Sequence, residues 1–398
     1  VHIAMISLHT SPADLPGEGD AGGMNVVERM QADALAQLGH RVEFLTRRTH
    51  PDVPEVSELS PGVTLRQITA GPVEVVAKSA VSDHIDAFAA QLEHLDGYDL
   101  VHSQHWMSGM AALGWAQRMG VPHVQSYHSL AVPLGRTLAE GEPAETEERV
   151  AGEKLLAQAS DLVVAISRAE ATTVLERCDA DPDRVVVVPP GVDLELFHPP
   201  AGDITDADPP TGGGLGRGYV VFAARLQPLK APDLAIAAMA GLPRDRRPHL
   251  VLVGGVSPDF LRYRAEVERV VAEHRLQDWV SFRGPQSRQQ LAELFRGARA
   301  LLVPSWSETF GLVALEAAAS GTPVVANDAG GLREAVIDGV TGLLVSSRDP
   351  ADWARAVDRV LSPGERGPMS VAAREHAERF TPELAGQLLV EAYERVLS

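Results

Sequence analysis

The feature that most constrains this chain is one pattern that occurs twice. A branched, apolar run, "VHIAMISL", meets the glycine-rich loop "GEGDAGGMN"; Val27, Met30, Ala34, Leu35 and Leu38 then recur at helical spacing, and Gly39 supplies a stop. The runs "RVEFLT", "YDLVHSQ", "PHVQSYH" and "DLVVAIS" read as further buried strands, separated by helical patterns such as the stretch from Ser108 to Met119. Next, "VVVVPPGVDLELFHPP" passes into "AGDITDADPPTGGGLGRG", an aperiodic stretch of Pro, Gly and Asp that reads as an exposed linker. The same grammar then restarts with "YVVFAARL", "HLVLVGGV", "VSFRGP", "ALLVPS" and "PVVAND", separated by runs such as Gln290 to Arg296.

Alternation of this kind predicts an α/β fold in which each half is a parallel sheet covered on both faces. The division read from the chain is a first domain over 1–198, a linker over 199–218, a second domain over 219–380 and a final helix over 381–398. In that last segment Leu388, Leu389, Ala392, Tyr393 and Val396 sit at helical spacing, so the helix is expected to pack on the body. Open parallel sheets bind ligands at the carboxyl ends of their strands, which puts the default site in the cleft between the domains.

At 398 residues, with 45% of them hydrophobic, the chain is long enough for two such cores. Its 54 acidic and 35 basic residues give a formal charge of -19, which repels nucleic acid and anionic membranes unless cations are concentrated locally. A lone cysteine, Cys178, rules out an intramolecular disulfide framework and thiolate metal clusters, and fits a reducing cytoplasm. The opening apolar run lacks a charged leader, and no later stretch reaches the roughly 20 apolar residues of a membrane span. The expectation is therefore a cytoplasmic protein without membrane insertion; a homodimer stays open.

Four clusters carry potential chemistry. Amides of the loop from Gly19 to Asn25 can face an anion or a sugar, although its spacing is not the dinucleotide fingerprint; Gly22 and Gly23 serve equally well as a tight turn, and Asn25 as a local cap. In "ARLQPLKAPD", Arg225 and Lys230 flank a loop between strand and helix and can converge on one diphosphate, or form a solvated basic turn. In "SWSETFGLVALEAAASGTPVVA", the amides from Phe310 through Gly311 to Leu312 open a helix and can meet a phosphate. Glu308 before that helix and Glu316 within it are acceptor-only groups that suit vicinal hydroxyls. His128 and His9 each end a strand, where a structural role competes with a functional one, and the "DADPD" run reads as an exposed turn rather than a metal site.

Taken together, "GDAGGMNV", "PPGVDLELFHP", "ARLQPLKAPD" and "SETFGLVALEAAASGTPVVA" resemble the family-four retaining nucleotide-sugar glycosyltransferases of GT-B fold over nearly the whole chain. The resemblance implies two Rossmann-like domains, with the acceptor on the first and the donor on the second, and a last helix that crosses back to the first. It implies that Arg225 and Lys230 bind the diphosphate, that Glu316 holds the ribose, that Glu308 holds the transferred sugar, and that Phe310, Gly311 and Leu312 complete the donor pocket. Gly22 and Gly23 would close over phosphate and acceptor, and His128 would lie near the reacting carbon. Neither a metal nor another cofactor is implied.

Within the family, "ISLHTSPADLPGEGDAGGMNV" and "AGPVEVVAK" look most like the mycothiol-pathway branch, which moves N-acetylglucosamine from a uridine diphosphate donor to inositol phosphate. Lys78 and Arg149 fall where that branch has cations for the acceptor phosphate. His105 stands where its pattern has tyrosine, Ser129 where it has threonine, and "VVAISRAEA" lacks its Asn-Thr pair. Those departures keep another acceptor open, such as an aminocyclitol or a small thiol in a natural-product pathway, with another nucleotide sugar as donor. A nucleotide-sugar epimerase and a catalytically idle sugar-nucleotide binder are the remaining alternatives.

Overall fold

The computed structural model describes residues 1–17, 20–134, 136–140, 142, 144–200, 218–256 and 258–397. The linker read over 199–218 therefore lies almost wholly outside the described residues. The first sheet contains β1 (His2–Ile6), β2 (Arg41–Arg47), β3 (Val56–Ser60), β4 (Val63–Ile68), β5 (Leu100–Gln104), β6 (His123–Ser126), β7 (Leu162–Ala165) and β8 (Val185–Val187), in the order β3-β4-β2-β1-β5-β6-β7-β8. The second contains β9 (Tyr219–Ala223), β10 (His249–Val253), β11 (Val280–Arg283), β12 (Leu301–Val303), β13 (Val324–Asn327) and β14 (Gly342–Val345), in the order β11-β10-β9-β12-β13-β14. Each is a Rossmann-like sheet with helices on both faces, and the pair makes a GT-B architecture.

The central strands are apolar because both of their faces are covered: Ile3, Ala4, Met5 and Ile6 of β1 are fully buried, as are Val220 and Val221 of β9. One element departs from the all-parallel expectation. β3 runs antiparallel to β4 at the sheet edge, turning at Gly62 (φ 81°), and its residues are half-exposed. An edge hairpin needs a covered face on one side only, so "VSELSPGVTLRQI" lacks the continuous apolar run that marks the other strands.

Strand order reverses beside β1 in the first sheet and beside β9 in the second, and the crevices outside these switch points face each other. The loop after β1 leads to Gly22 and Gly23, and β5 is followed directly by His105; the loop after β9 carries Arg225 and Lys230, and β12 leads to Glu308 and Gly311. Below the crevice an apolar floor joins the halves, with Val26, Val27 and Ile166 in the same buried cluster as Phe310, Leu312 and Leu315.

The chain returns to the first half at its end. Val192 donates to the Phe380 carbonyl at 2.8 Å, and a Cβ on Gly191 would lie 2.4 Å from Pro382 N, so only glycine allows this crossing. The helix Pro382–Leu397 then packs on the helix Gly23–Gln37, with Gly386 against Ala34, and buried Tyr393 hydrogen bonds to His102 Nδ1 at 2.7 Å.

Candidate active site

A cleft of about 440 Å3 opens between the two switch points. Gly22, Gly23, Asn25, Lys78, His105, His128, Ser129 and Arg149 line it from the first half; Arg225, Lys230, Glu308, Phe310, Gly311 and Leu312 line it from the second. Glu316 does not line it. That residue lies one turn into the helix Leu312–Ala319, buried, with Arg288 Nη2 at 3.3 Å from Oε1.

On the second-half wall, both cations have carboxylate partners. Lys230 ends the short helical turn Pro228–Lys230 and donates to Glu308 Oε1 at 2.6 Å, where Ser305 Oγ also donates at 2.8 Å. Arg225 Nη1 donates to Asp20 Oδ1, across the cleft, at 3.2 Å. The Glu308 loop is held by a second glycine pair that sequence reading did not single out. Gly331 N donates to the Glu308 carbonyl at 2.9 Å, and a Cβ on Gly330 would come within 2.2 Å of that carbonyl oxygen. Gly311 caps the helix Leu312–Ala319 at φ 91°, where L side chains are strained, and a Cβ there would meet Leu332 Cδ2 at 2.6 Å. No acid occupies the first turn of that helix, so its positive end faces the cleft without an internal counter-charge.

The first-half wall is assembled from distant segments. Gly22 N donates to Asn25 Oδ1 at 2.9 Å, and Asn25 Nδ2 donates to Thr10 Oγ1 and the Ser11 carbonyl, so this side chain locks the glycine loop to the end of β1. Gly22 itself passes against Arg225: a Cβ there would lie 4.0 Å from Nε. Gly19 lies outside the described residues.

His128 adopts φ 59°; its Nε2 faces Gln104 Oε1 at 2.6 Å, and its carbonyl accepts from Thr309 Oγ1 at 2.6 Å. That last bond ties the end of β6 to the Glu308 loop. His105 adopts φ 73° and packs against His9, with ring centroids 4.4 Å apart and the planes tilted by 42°, and its two ring nitrogens are buried without partners among the described residues. Such backbone strain in non-glycine residues concentrates at ligand sites.

Burial holds all three imidazoles neutral: it lowers His128 to about 4 and, aided by nearby Lys78 and Arg149, lowers His9 and His105 well below the ordinary range. Lys78 is brought down to about 8 by burial and then by the Arg149 and Arg225 charges. Arg149 is already engaged, with Glu153 at 2.9 Å, Glu145 at 3.2 Å and Ser129 at 3.3 Å. Among the described residues no cluster of metal-ligating groups is present, and "DADPD" forms a capped turn in which Asp181 accepts from the Asp183 amide.

The site also contains groups that sequence reading passed over. Asp20 on Arg225, Thr309 on His128 and Arg288 on Glu316 are each joined over 28 to 205 positions of the chain, and no local pattern announces them. Glu142 likewise crosses to the second half, accepting from Leu229 N at 2.9 Å.

Comparison with known proteins identifies the family. Residues 22–191 match the family described as glycosyl transferase 4-like domain, and residues 205–379 match glycosyl transferases group 1. The chain is 43% identical to a D-inositol 3-phosphate glycosyltransferase of Salinispora arenicola, over 98% of this chain and 91% of that protein. Among solved structures it is similar to sucrose-phosphate synthase from Thermosynechococcus elongatus, with TM-score 0.89 and 31% identity over 99% of this chain and 98% of the other. It shares the fold of Anabaena HepE, solved in complex with UDP-glucose, with TM-score 0.76 and 19% identity over 99% of each chain. The chain thus belongs to the GT-B glycosyl transferases that join a 4-like domain to a group 1 domain, and it is an enzyme of the glycosyltransferase class.

Proposed function

We propose that this glycosyltransferase moves a sugar, with retention of configuration, from a uridine diphosphate donor to inositol phosphate, and that the sugar is N-acetylglucosamine. The observation that carries this reading is a single cleft with cations on opposite walls: Arg225 and Lys230 on the second half, Lys78 and Arg149 on the first. One pair suits a donor diphosphate, the other an acceptor phosphate. The D-inositol 3-phosphate glycosyltransferases are named for such an acceptor, and HepE was solved with UDP-glucose.

In the transfer, the bond between the anomeric carbon and the diphosphate oxygen breaks, and negative charge grows on the departing phosphate. Arg225, Lys230 and the amides opening the helix Leu312–Ala319 offset that charge, so the protein itself supplies what a divalent ion would contribute. An acceptor hydroxyl attacks the same face, and its proton passes to the leaving phosphate oxygen. Glu308, already against Lys230, accepts hydroxyls of the transferred sugar, and Glu316, buried one helical turn past the cleft-lining Leu312, accepts those of the ribose.

A second reading has its own support. Glu145 and Glu153 both neutralise Arg149, and His105 is neutral, which leaves Lys78 as the less compensated cation of the acceptor wall, with only the weaker influence of Asp20 and Glu145 on it among the described residues. That balance suits an acceptor with less charge, such as an aminocyclitol. Incubation with UDP-N-acetylglucosamine and either inositol phosphate or an aminocyclitol panel separates the two by product mass, and the anomeric coupling in the product's proton spectrum tests retention. Conversion of the donor with no acceptor present would identify an epimerase instead. A chelator in the assay tests metal independence.

A further inference from the structure

Arg288 opens the helix Arg288–Gly297, where a cation faces the positive end of the helix dipole and gains nothing from it. The start of this helix is fixed independently, since Ser287 Oγ accepts from Gln290 N while Gln290 Oε1 accepts from Ser287 N. The guanidinium lies over the Phe197 ring at 5.3 Å, Nε is buried without a partner, and Nη2 reaches Glu316 Oε1 at 3.3 Å. Geometry, rather than helix propensity, accounts for this residue.

We infer, on the donor reading above, that Arg288 is a positioning residue for nucleotide recognition: it holds the Glu316 carboxylate in place as a two-oxygen acceptor for the vicinal hydroxyls of ribose. A carboxylate with both oxygens free of protons takes two hydroxyl donors, whereas a protonated carboxyl turns one oxygen into a donor. Burial works against the charged form, raising Glu316 to about 7; Arg288 pulls it back down and Asp193 pushes it further up.

Other charged groups on the elements around Glu316 are engaged elsewhere. Arg374 donates to the Phe197 and Ala319 carbonyls, His376 Nε2 faces the Glu334 carbonyl, Arg333 pairs with Asp328, Arg296 donates to the Leu196 carbonyl, and the Glu334 carboxylate accepts from the Arg168 amide. Among the described residues Arg288 is thus the cation that acts on this acid.

The test is calorimetric titration of UDP and 2′-deoxy-UDP into the full chain carrying Arg288→Met, Arg288→Lys or Glu316→Gln, from pH 6 to 8.5, with melting temperatures as a check on folding. Arg288→Met should weaken UDP about tenfold at pH 7, a loss that shrinks as pH rises and Glu316 ionises unaided, and that is smaller for 2′-deoxy-UDP. Arg288→Lys should restore most of the affinity. The inference is overturned if Arg288→Met binds UDP as the unaltered chain does, or if its loss is the same at every pH and for both nucleotides. If the unaltered chain binds no UDP, the donor reading fails with it; if it binds UDP and only the Glu316→Gln variant is weakened, the inference about Arg288 fails alone.

Discussion

On the proposed reading, the two walls of the cleft do the same job, anion binding, by different means. On the second half, Arg225 and Lys230 come from one short loop and each pairs with a carboxylate, Asp20 and Glu308, with Glu142 acting on both, in reach of a helix start stripped of acids. On the first half, a buried lysine, an arginine shared by two glutamates and a pair of neutral imidazoles are gathered from four segments. A charge paired with an exchangeable carboxylate can be handed to a ligand at little cost, whereas the charge of a buried lysine depends on pH. On the proposed reading, the second wall suits a constant ligand, and the first suits one whose recognition can be tuned.

The largest effect that would break this comparison is on the donor wall. Lys230→Ala removes a partner of the departing diphosphate and should lower kcat by about a hundredfold or more, as loss of one preorganised charge donor does elsewhere; an unchanged kcat in steady-state assays would remove Lys230 from the donor wall. Next is Gly311→Ala. With φ at 91° and a Cβ meeting Leu332 Cδ2 at 2.6 Å, it should cost about 2 kcal/mol of stability, read from denaturant midpoints.

Smaller effects sharpen the acceptor wall. Lys78→Met should raise the acceptor KM about tenfold and leave the donor KM unchanged. For the unaltered chain the sign follows from the lowered value of about 8: the ammonium is present below it and lost above it, so kcat/KM for a phosphorylated acceptor should fall as pH rises through about 8. Lys78→Arg should abolish that fall. The smallest effect is Asp20→Asn, which removes the carboxylate competing for Arg225 and should tighten UDP binding a few-fold in the same titration.

Legibility from sequence divides along the same line. The second wall is written in contiguous motifs, because a loop between strand and helix fixes its own glycines and cations; Arg225, Lys230, Glu308 and Gly311 could be named from "ARLQPLKAPD" and "SETFGLVALE" alone. Most central strands were legible from their apolar runs, although β14 and β8 were not named as strands. The β3–β4 hairpin was not, because an edge strand has no such run. The contacts that complete the site depend on tertiary pairing: Asp20 with Arg225, Thr309 with His128, Arg288 with Glu316. No periodicity encodes them, and Gly330 and Gly331 acquire their purpose only when the Glu308 loop lies upon them.

The division of labour between the walls is tested most directly by titrating UDP into the unaltered chain, Lys230→Ala and Lys78→Met under one buffer condition. Loss of UDP affinity in Lys230→Ala, with Lys78→Met binding as the unaltered chain does, is the predicted result. Equal losses in both variants, or a loss confined to Lys78→Met, would contradict it.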